Sequence, residues 1–376
     1  MKNYSFARTD TSAVGRWWWT VDHWTLGALA FLIAIGVLLT LSASPAVAQR
    51  IGAQSFHFVY RQFVFVPLAV LIIVGISLQS PKTVRRIGAV GFLIGVVLMM
   101  ATLVVGVEVK GATRWINVPG LSLQPSEFIK PTFAVVTAWM FSEARAKDHF
   151  PGDLIAVGLF GMVIGLLLLQ PDVGMSLVVS AVWCTQFFLA GLSLFWVLLL
   201  VVIGLGSLVG AYFIFPHVAS RVDRFLDPST GDTYQIAKAM QAFSHGGLLG
   251  TGPGEGRVKE VLPDAHTDFI FAVAGEEFGL ILCLFIVGLF AFIVLRGFVR
   301  VMGDENLFIL LAVGGLSVQF GLQALINMAS SLRLMPTKGM TLPFISYGGS
   351  SMLARAVGMG MLLALTRRRT GTGELG

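Results

Sequence analysis

Apolar runs of roughly 18 residues or more recur along almost the whole of this chain, and that length is what a helix needs to cross about 30 Å of hydrocarbon. A chain built this way has few folds open to it. In lipid every backbone polar group must be satisfied within the segment, so consecutive apolar runs of this length become packed helices. The composition agrees, with 56% hydrophobic and only 12% charged residues over 376 positions, and a mean hydropathy of +0.82. The runs predict an all-α membrane protein of about ten transmembrane helices. Their spans lie near 25–43, 62–79, 87–107, 127–143, 153–170, 174–191, 192–215, 268–295, 306–330 and 349–366. The whole chain, 1–376, reads as one polytopic domain with no room for a separate soluble unit. Junctions at 170–173 and 190–192 are so short that their flanking spans are expected to form antiparallel hairpins.

Basic residues set the expected orientation, because Lys and Arg are retained on the cytoplasmic side during insertion. Lys2, Arg8 and Arg16, then Lys82, Arg85 and Arg86, then Arg145 and Lys147, then Arg296 and Arg300, then Arg367 to Arg369 all fall on one side. That side is expected to be cytoplasmic, with tails at 1–23 and 367–376 and a long extracytoplasmic loop at 216–267 between spans seven and eight. The net charge of +6 is mostly this topological signal and gives no reason to expect nucleic acid as a partner. Cys184 and Cys283 sit inside apolar runs and read as small hydrophobes. The Ala46-Val47-Ala48 pattern after the first run resembles a signal-peptidase site, but the run is longer than a usual signal core and reads as an uncleaved span.

Polar and Gly/Pro-rich material gathers on the expected outer face, at 108–131, 170–174, 216–279 and 327–351. Chemistry is therefore expected at that face. Glu127 and Lys130 open a span three residues apart, so they share a helix face and can pair, either as a structural ion pair or facing substrate. Arg114 beside Trp115 can hold an anionic group or anchor the loop at the interface. Asp172 in Gln170-Pro171-Asp172-Val173-Gly174 reads as a turn or cap residue. The cluster from Gly246 to Gly256 is no nucleotide loop, since no Gly-Lys-Ser/Thr follows it; backbone flexibility, with amides open to phosphate, is the reading that remains. Asp268 stands at a helix entrance, as an N-terminal cap or as a general base. Glu276, two turns further on, needs a partner, for which Lys130 and Arg355 are candidates. Lys338 is a natural phosphate contact or a snorkelling interfacial residue. His266 and its neighbours are too few to claim a metal site.

Several of these stretches, in one order, resemble the SEDS family (shape, elongation, division and sporulation) from about residue 24 to 365. The carriers are Gly111-Ala112-Thr113-Arg114-Trp115-Ile116, Gln124-Pro125-Ser126-Glu127, Gln170-Pro171-Asp172, Ala265-His266-Thr267-Asp268-Phe269-Ile270-Phe271, Gly275-Glu276-Glu277 and Ile345-Ser346-Tyr347-Gly348-Gly349-Ser350. Pro336 to Pro343 looks like the division form of that segment rather than the elongation form. The resemblance implies an inner-membrane glycosyltransferase that polymerises lipid II into β-1,4 glycan at the septum. It implies Asp268 as the base, with Arg114, Glu127, Lys130, Lys338, Ser346 and Tyr347 around the substrate and Glu276 in support. It also implies a class B penicillin-binding protein and other divisome membrane proteins as partners. A divalent cation, Mg or Mn, is compatible with a pyrophosphate leaving group, though the sequence shows no ligand set. A flippase and a non-catalytic scaffold are the competing classes; a flippase needs a charged path to both faces, whereas the charge here is concentrated on one.

Overall fold

The structure, a computed structural model, describes residues 12–50, 52, 54, 56–109, 112–118, 121–191, 193–227, 234–336 and 339–368. Each of the ten expected spans is a helix: α2 (His23–Arg50), α3 (His57–Ser77), α4 (Pro81–Val105), α5 (Pro125–Ala146), α6 (Gly152–Leu169), α7 (Val173–Leu189), α8 (Leu194–Ile214), α11 (Ile270–Val301), α12 (Leu307–Ser331) and α13 (Gly349–Leu365). Six of them, α2, α3, α4, α6, α11 and α12, are long and apolar enough to cross a membrane by length and composition alone. Of the rest, α7 and α13 are shorter, and α5 carries four charged residues, Glu127, Lys130, Glu143 and Arg145. After α8 the chain turns by about 100° into α9 (Pro216–Leu226).

Three further features were not expected. An eight-residue helix, α1 (Ala13–Thr20), starts at a Ser12 cap and lies within the predicted N-terminal tail. Trp17 anchors it by donating from its indole N–H to Ser77 Oγ at 2.8 Å. Next, the chain after α4 folds into an antiparallel meander of β1 (Val107–Val109), β2 (Ala112–Val118) and β3 (Leu121–Leu123). The long loop is also structured, holding α10 (Tyr234–Gly246) and a short 3-10 helix at Val258–Glu260 as well as α9.

Helices α5, α12 and α13 form the interior, and small residues let them approach. A Cβ at Gly315 of α12 would lie 2.4 Å from Gln186 Nε2, and one at Gly358 of α13 would lie 3.2 Å from Pro131 of α5. In lipid, close packing and interhelical hydrogen bonds hold helices together. Gln186 of α7 supplies such bonds: its amide donates to Ala134 O at 2.6 Å and Leu311 O at 3.1 Å, and accepts from Thr137 Oγ1 at 2.6 Å. Three helices are tied through one buried side chain.

Helix α11 is broken at Gly279, whose φ of 73° and ψ of −170° are not helical. The glycine-rich loop after α10 fills the break. Leu280 and Ile281 donate their N–H groups to Gly247 O and Leu248 O, while Thr251 and Gly252 donate to Glu276 O and Glu277 O. This needs backbone-to-backbone contact that a side chain would block: a Cβ at Gly246 would lie 1.9 Å from Gly275 O, one at Gly250 2.1 Å from Glu277 O, and one at Gly279 2.4 Å from Leu248 O. The cluster serves close packing, which corrects the expectation of flexibility and open amides.

Because the helices alternate in direction, their polar ends sort to two ends of the bundle. At one end Asp22 receives Arg296 at 2.6 Å and Arg300 at 2.8 Å. Burial raises its pKa, but hydrogen bonds from Arg296, Thr25 and Arg300 prevail and hold it at about 2. Arg85 pairs with Glu143, and Arg367 bonds Thr20, Ser77 and Leu78 at this same end. The other end is open.

Candidate active site

A cavity of about 620 Å³ occupies that open end. Its wall is built by the ends of α3, α5, α7, α11, α12 and α13, with β2, β3 and α9 contributing. Four arginines, Arg61, Arg114, Arg221 and Arg224, and four carboxylates, Glu127, Asp172, Asp264 and Asp268, line it. Hydroxyls and amides from Thr267, Asn327, Ser330, Thr341, Ser350 and Ser351 fill the intervals.

Asp268 is not a helix cap. The cap of α11 is Phe269, which makes no side-chain cap bond. Asp264, with a φ of 52°, turns the chain so that its carbonyl accepts from the N–H groups of Thr267, Asp268 and Phe269. From the other side, the Asn327 amide of α12 donates to Asp268 O at 2.9 Å. The carboxylate is thereby presented to the cavity. A Cβ at Gly339, itself at a φ of +63°, would lie 3.2 Å from Asp268 Oδ2.

Of the other residues singled out in the sequence, Arg114, Glu127 and Tyr347 line the cavity with Asp268. Arg114 is also tied down: it donates to Pro171 O at 2.8 Å and stands 3.4 Å from Asp172, which itself caps α7 by accepting from Met175 N–H. Lys130 lies just beneath the wall, 2.9 Å from Glu127. Ser346 is buried behind it, donating to Thr267 O at 2.6 Å and accepting from Leu342 N–H at 2.7 Å, so it holds the turn before Asp268. Lys338 lies outside the described residues. Glu276 is placed away from the cavity, 1% exposed. Its carboxylate accepts from the N–H groups of Arg257, Val258 and Lys259 at 2.9, 2.8 and 3.2 Å, which corrects its expected pairing with Lys130 or Arg355. Those two cations go to Glu127 instead. Neighbouring Glu277 pairs with Lys259 and Ser42.

Arg61, Arg221, Arg224 and Asp264 were not singled out. Arg221 and Arg224, three apart on α9, share a helical face, and that spacing was the available signal; Arg61 stands alone in sequence and offers none. His266 packs between the rings of Phe58 at 4.2 Å and Tyr347 at 5.6 Å. Burial lowers its pKa to about 4, with Asp264 opposing and Arg50 adding to the shift, so the imidazole is neutral near pH 7. Burial also raises the Tyr347 hydroxyl, against a hydrogen bond from Arg61. Among the described residues no three His, Cys, Asp or Glu side chains gather in a way that could hold a metal ion.

Comparison with known proteins places this site in a family. Residues 23–371 match the family model for cell cycle proteins of the FtsW, RodA and SpoVE type. A Caulobacter vibrioides protein named "Probable peptidoglycan glycosyltransferase FtsW" is 46% identical, covering 99% of this chain and 97% of its own. A Coxiella burnetii protein of the same name is 34% identical over 92% and 96%. Among solved structures, a chain from a peptidoglycan synthase complex that coordinates polymerization and crosslinking superposes with a TM-score of 0.74 at 27% identity, covering 92% of this chain and 97% of that one. The rod shape determining protein RodA of Thermus thermophilus gives 0.67 at 26%, covering 93% and 97%. A multi-pass bacterial membrane protein with several apolar helices, and with the motif residues Arg114, Glu127, Tyr347 and Asp268 around one cavity, this chain belongs to the FtsW/RodA/SpoVE family of cell cycle proteins, the SEDS family.

Proposed function

We propose that this chain is a peptidoglycan glycosyltransferase that polymerises lipid II on the outer face of the inner membrane at the division septum, with both termini in the cytoplasm. The observation that carries the reading is the cavity itself: a carboxylate presented by a fixed turn faces four arginines, within a wall drawn from one end of the bundle. Polymerisation needs a base for one hydroxyl and cations for a pyrophosphate, side by side. In this reading Asp268 takes the proton from the 4-hydroxyl of the acceptor GlcNAc as that oxygen attacks C1 of the donor MurNAc. The bond from C1 to the pyrophosphate oxygen breaks, and undecaprenyl pyrophosphate leaves with the electron pair. Attack opposite the α-linked leaving group gives the β-1,4 product with inversion. Arginines and buried Lys130 supply the positive charge that this chain itself offers the leaving group; a bound divalent cation would add Lewis-acid stabilisation of the same oxygens.

The identity to FtsW relatives supports septal over elongation synthesis. The likeness to a chain from a synthase complex supports a crosslinking partner of the class B penicillin-binding type. A flippase needs a charged route through the bundle, and the cavity is lined from one end only. The test is to mix the purified chain and its cognate transpeptidase with lipid II and look for glycan strands. Strands are expected; lipid II crossing vesicle membranes without any polymer would overturn the reading in favour of transport.

A further inference from the structure

Arg355 is a buried charge that the mechanism above leaves unused. It sits on the second turn of α13 and is 5% exposed. A helical side chain leans toward the N-terminus of its own helix, and this one does: its Nη2 donates to Thr341 Oγ1 at 2.6 Å and Thr341 O at 3.2 Å and lies 3.8 Å from Glu127 Oε2. Thr341 and Glu127 are both wall residues of the cavity. The other two guanidinium nitrogens, Nε and Nη1, are buried without a hydrogen-bond partner.

Two features make this an unbalanced site. Lys130 and Arg355 share the carboxylate of Glu127, and Asp172, the other acid whose charge reaches Lys130, is already engaged by Arg114, so cations outnumber acids under the wall, an arrangement that is costly without a counter-anion. Directly above, the first turn of α13 opens on the cavity: Gly348, Gly349, Ser350 and Ser351 all line it, and no side chain caps the helix. A helix N-terminus offers free N–H groups and the positive end of the dipole to an anion. Gly349 lets α3 close over this turn, since a Cβ there would lie 2.6 Å from the Phe65 ring.

We propose that the N-terminal turn of α13, backed by the buried charge of Arg355, is the site that holds the diphosphate of the lipid-linked substrate and of the released carrier. The inference rests on the polymerase reading for the identity of the diphosphate, and the geometry rests on this chain alone. Arg355 acts as a positioning residue, through charge and through Thr341.

The test is binding of inorganic pyrophosphate to the purified full-length chain in detergent, comparing wild type with Arg355→Met, Arg355→Lys and Asp268→Asn. Wild type and Asp268→Asn are expected to bind, the latter at least as tightly. Arg355→Met is expected to bind roughly ten- to a hundredfold more weakly, through loss of the buried charge and of the hold on Thr341. If the Met variant does not fold, Arg355→Lys keeps the charge but loses the fork and is expected to bind about tenfold more weakly. Unchanged affinity in the folded Arg355 variants overturns the proposal while leaving the polymerase reading in place. Pyrophosphate binding that tracks Arg355 in a chain that makes no glycan would uphold the site and remove the polymerase. In a second arm, undecaprenyl pyrophosphate is expected to displace the probe and phosphatidylglycerol micelles are not; displacement by both alike would mean a general phospholipid site and overturn the assignment.

Discussion

Asp268 owes its place to backbone geometry rather than to a cap. Its carbonyl is held by Asn327, its N–H by Asp264, and its carboxylate rests against Gly339. Gly339→Ala therefore asks for two things the site does not allow, a side chain at a φ of +63° and a methyl 3.2 Å from Oδ2. The variant is expected to fold but to lose roughly ten- to a hundredfold in lipid II turnover, since small displacements of a catalytic group cost that much; turnover equal to wild type at matched abundance would show that the contact does not position Asp268. At this scale the sequence was readable where partners lie close along the chain. The pairing of Glu127 with Lys130, three residues apart, was legible from spacing. That of Glu276 with amides at 257–259 was not, because it depends on a loop folding back over a broken helix. Ser346, expected around the substrate because its motif is shared, fastens the turn before Asp268 through Thr267 O.

Among the elements, α11 carries the most consequence. Its first nine residues, up to Phe278, form a short buried helix behind Asp268, and the rest forms the long apolar span beyond Gly279. The glycine-rich loop and the 3-10 helix bind that first piece through Glu276 and Glu277, so Asp268 projects from a braced block. Gly279→Ala is expected to destabilise this block by about 2 kcal/mol or more, from backbone strain together with the clash at Leu248 O. A lowered melting temperature in detergent, with glycan synthesis reduced in step, would be the sign; an unchanged melting temperature would contradict the brace. The helices of all ten expected spans were legible, because a long apolar run has one stable form in lipid. The break was not, since Gly279 lies inside an apolar run that hydropathy reads as continuous. The β-meander was also missed: each outer strand is three residues long, too short for an alternating pattern to register.

At the scale of the whole molecule, the two ends of the bundle differ in kind. One end is sealed by ion pairs such as Asp22 with Arg296 and Arg300, and the other opens into a cavity that gathers charge from α3, α5, α7, α9, β2 and the turn before α11. Such asymmetry suits a reaction carried out at one membrane face with a substrate that arrives through lipid, its polar head entering a cavity shaped by fixed helices. In the proposed reaction the Asp268 carboxylate in this cavity is the base for glycan synthesis. The measurement that reaches it most directly is lipid II polymerisation by wild type and Asp268→Asn, each purified with the same transpeptidase partner at equal folded abundance. Glycan strands from wild type and at least about a hundredfold fewer from the isosteric variant are the predicted result; strands of equal length and amount from Asp268→Asn would contradict it.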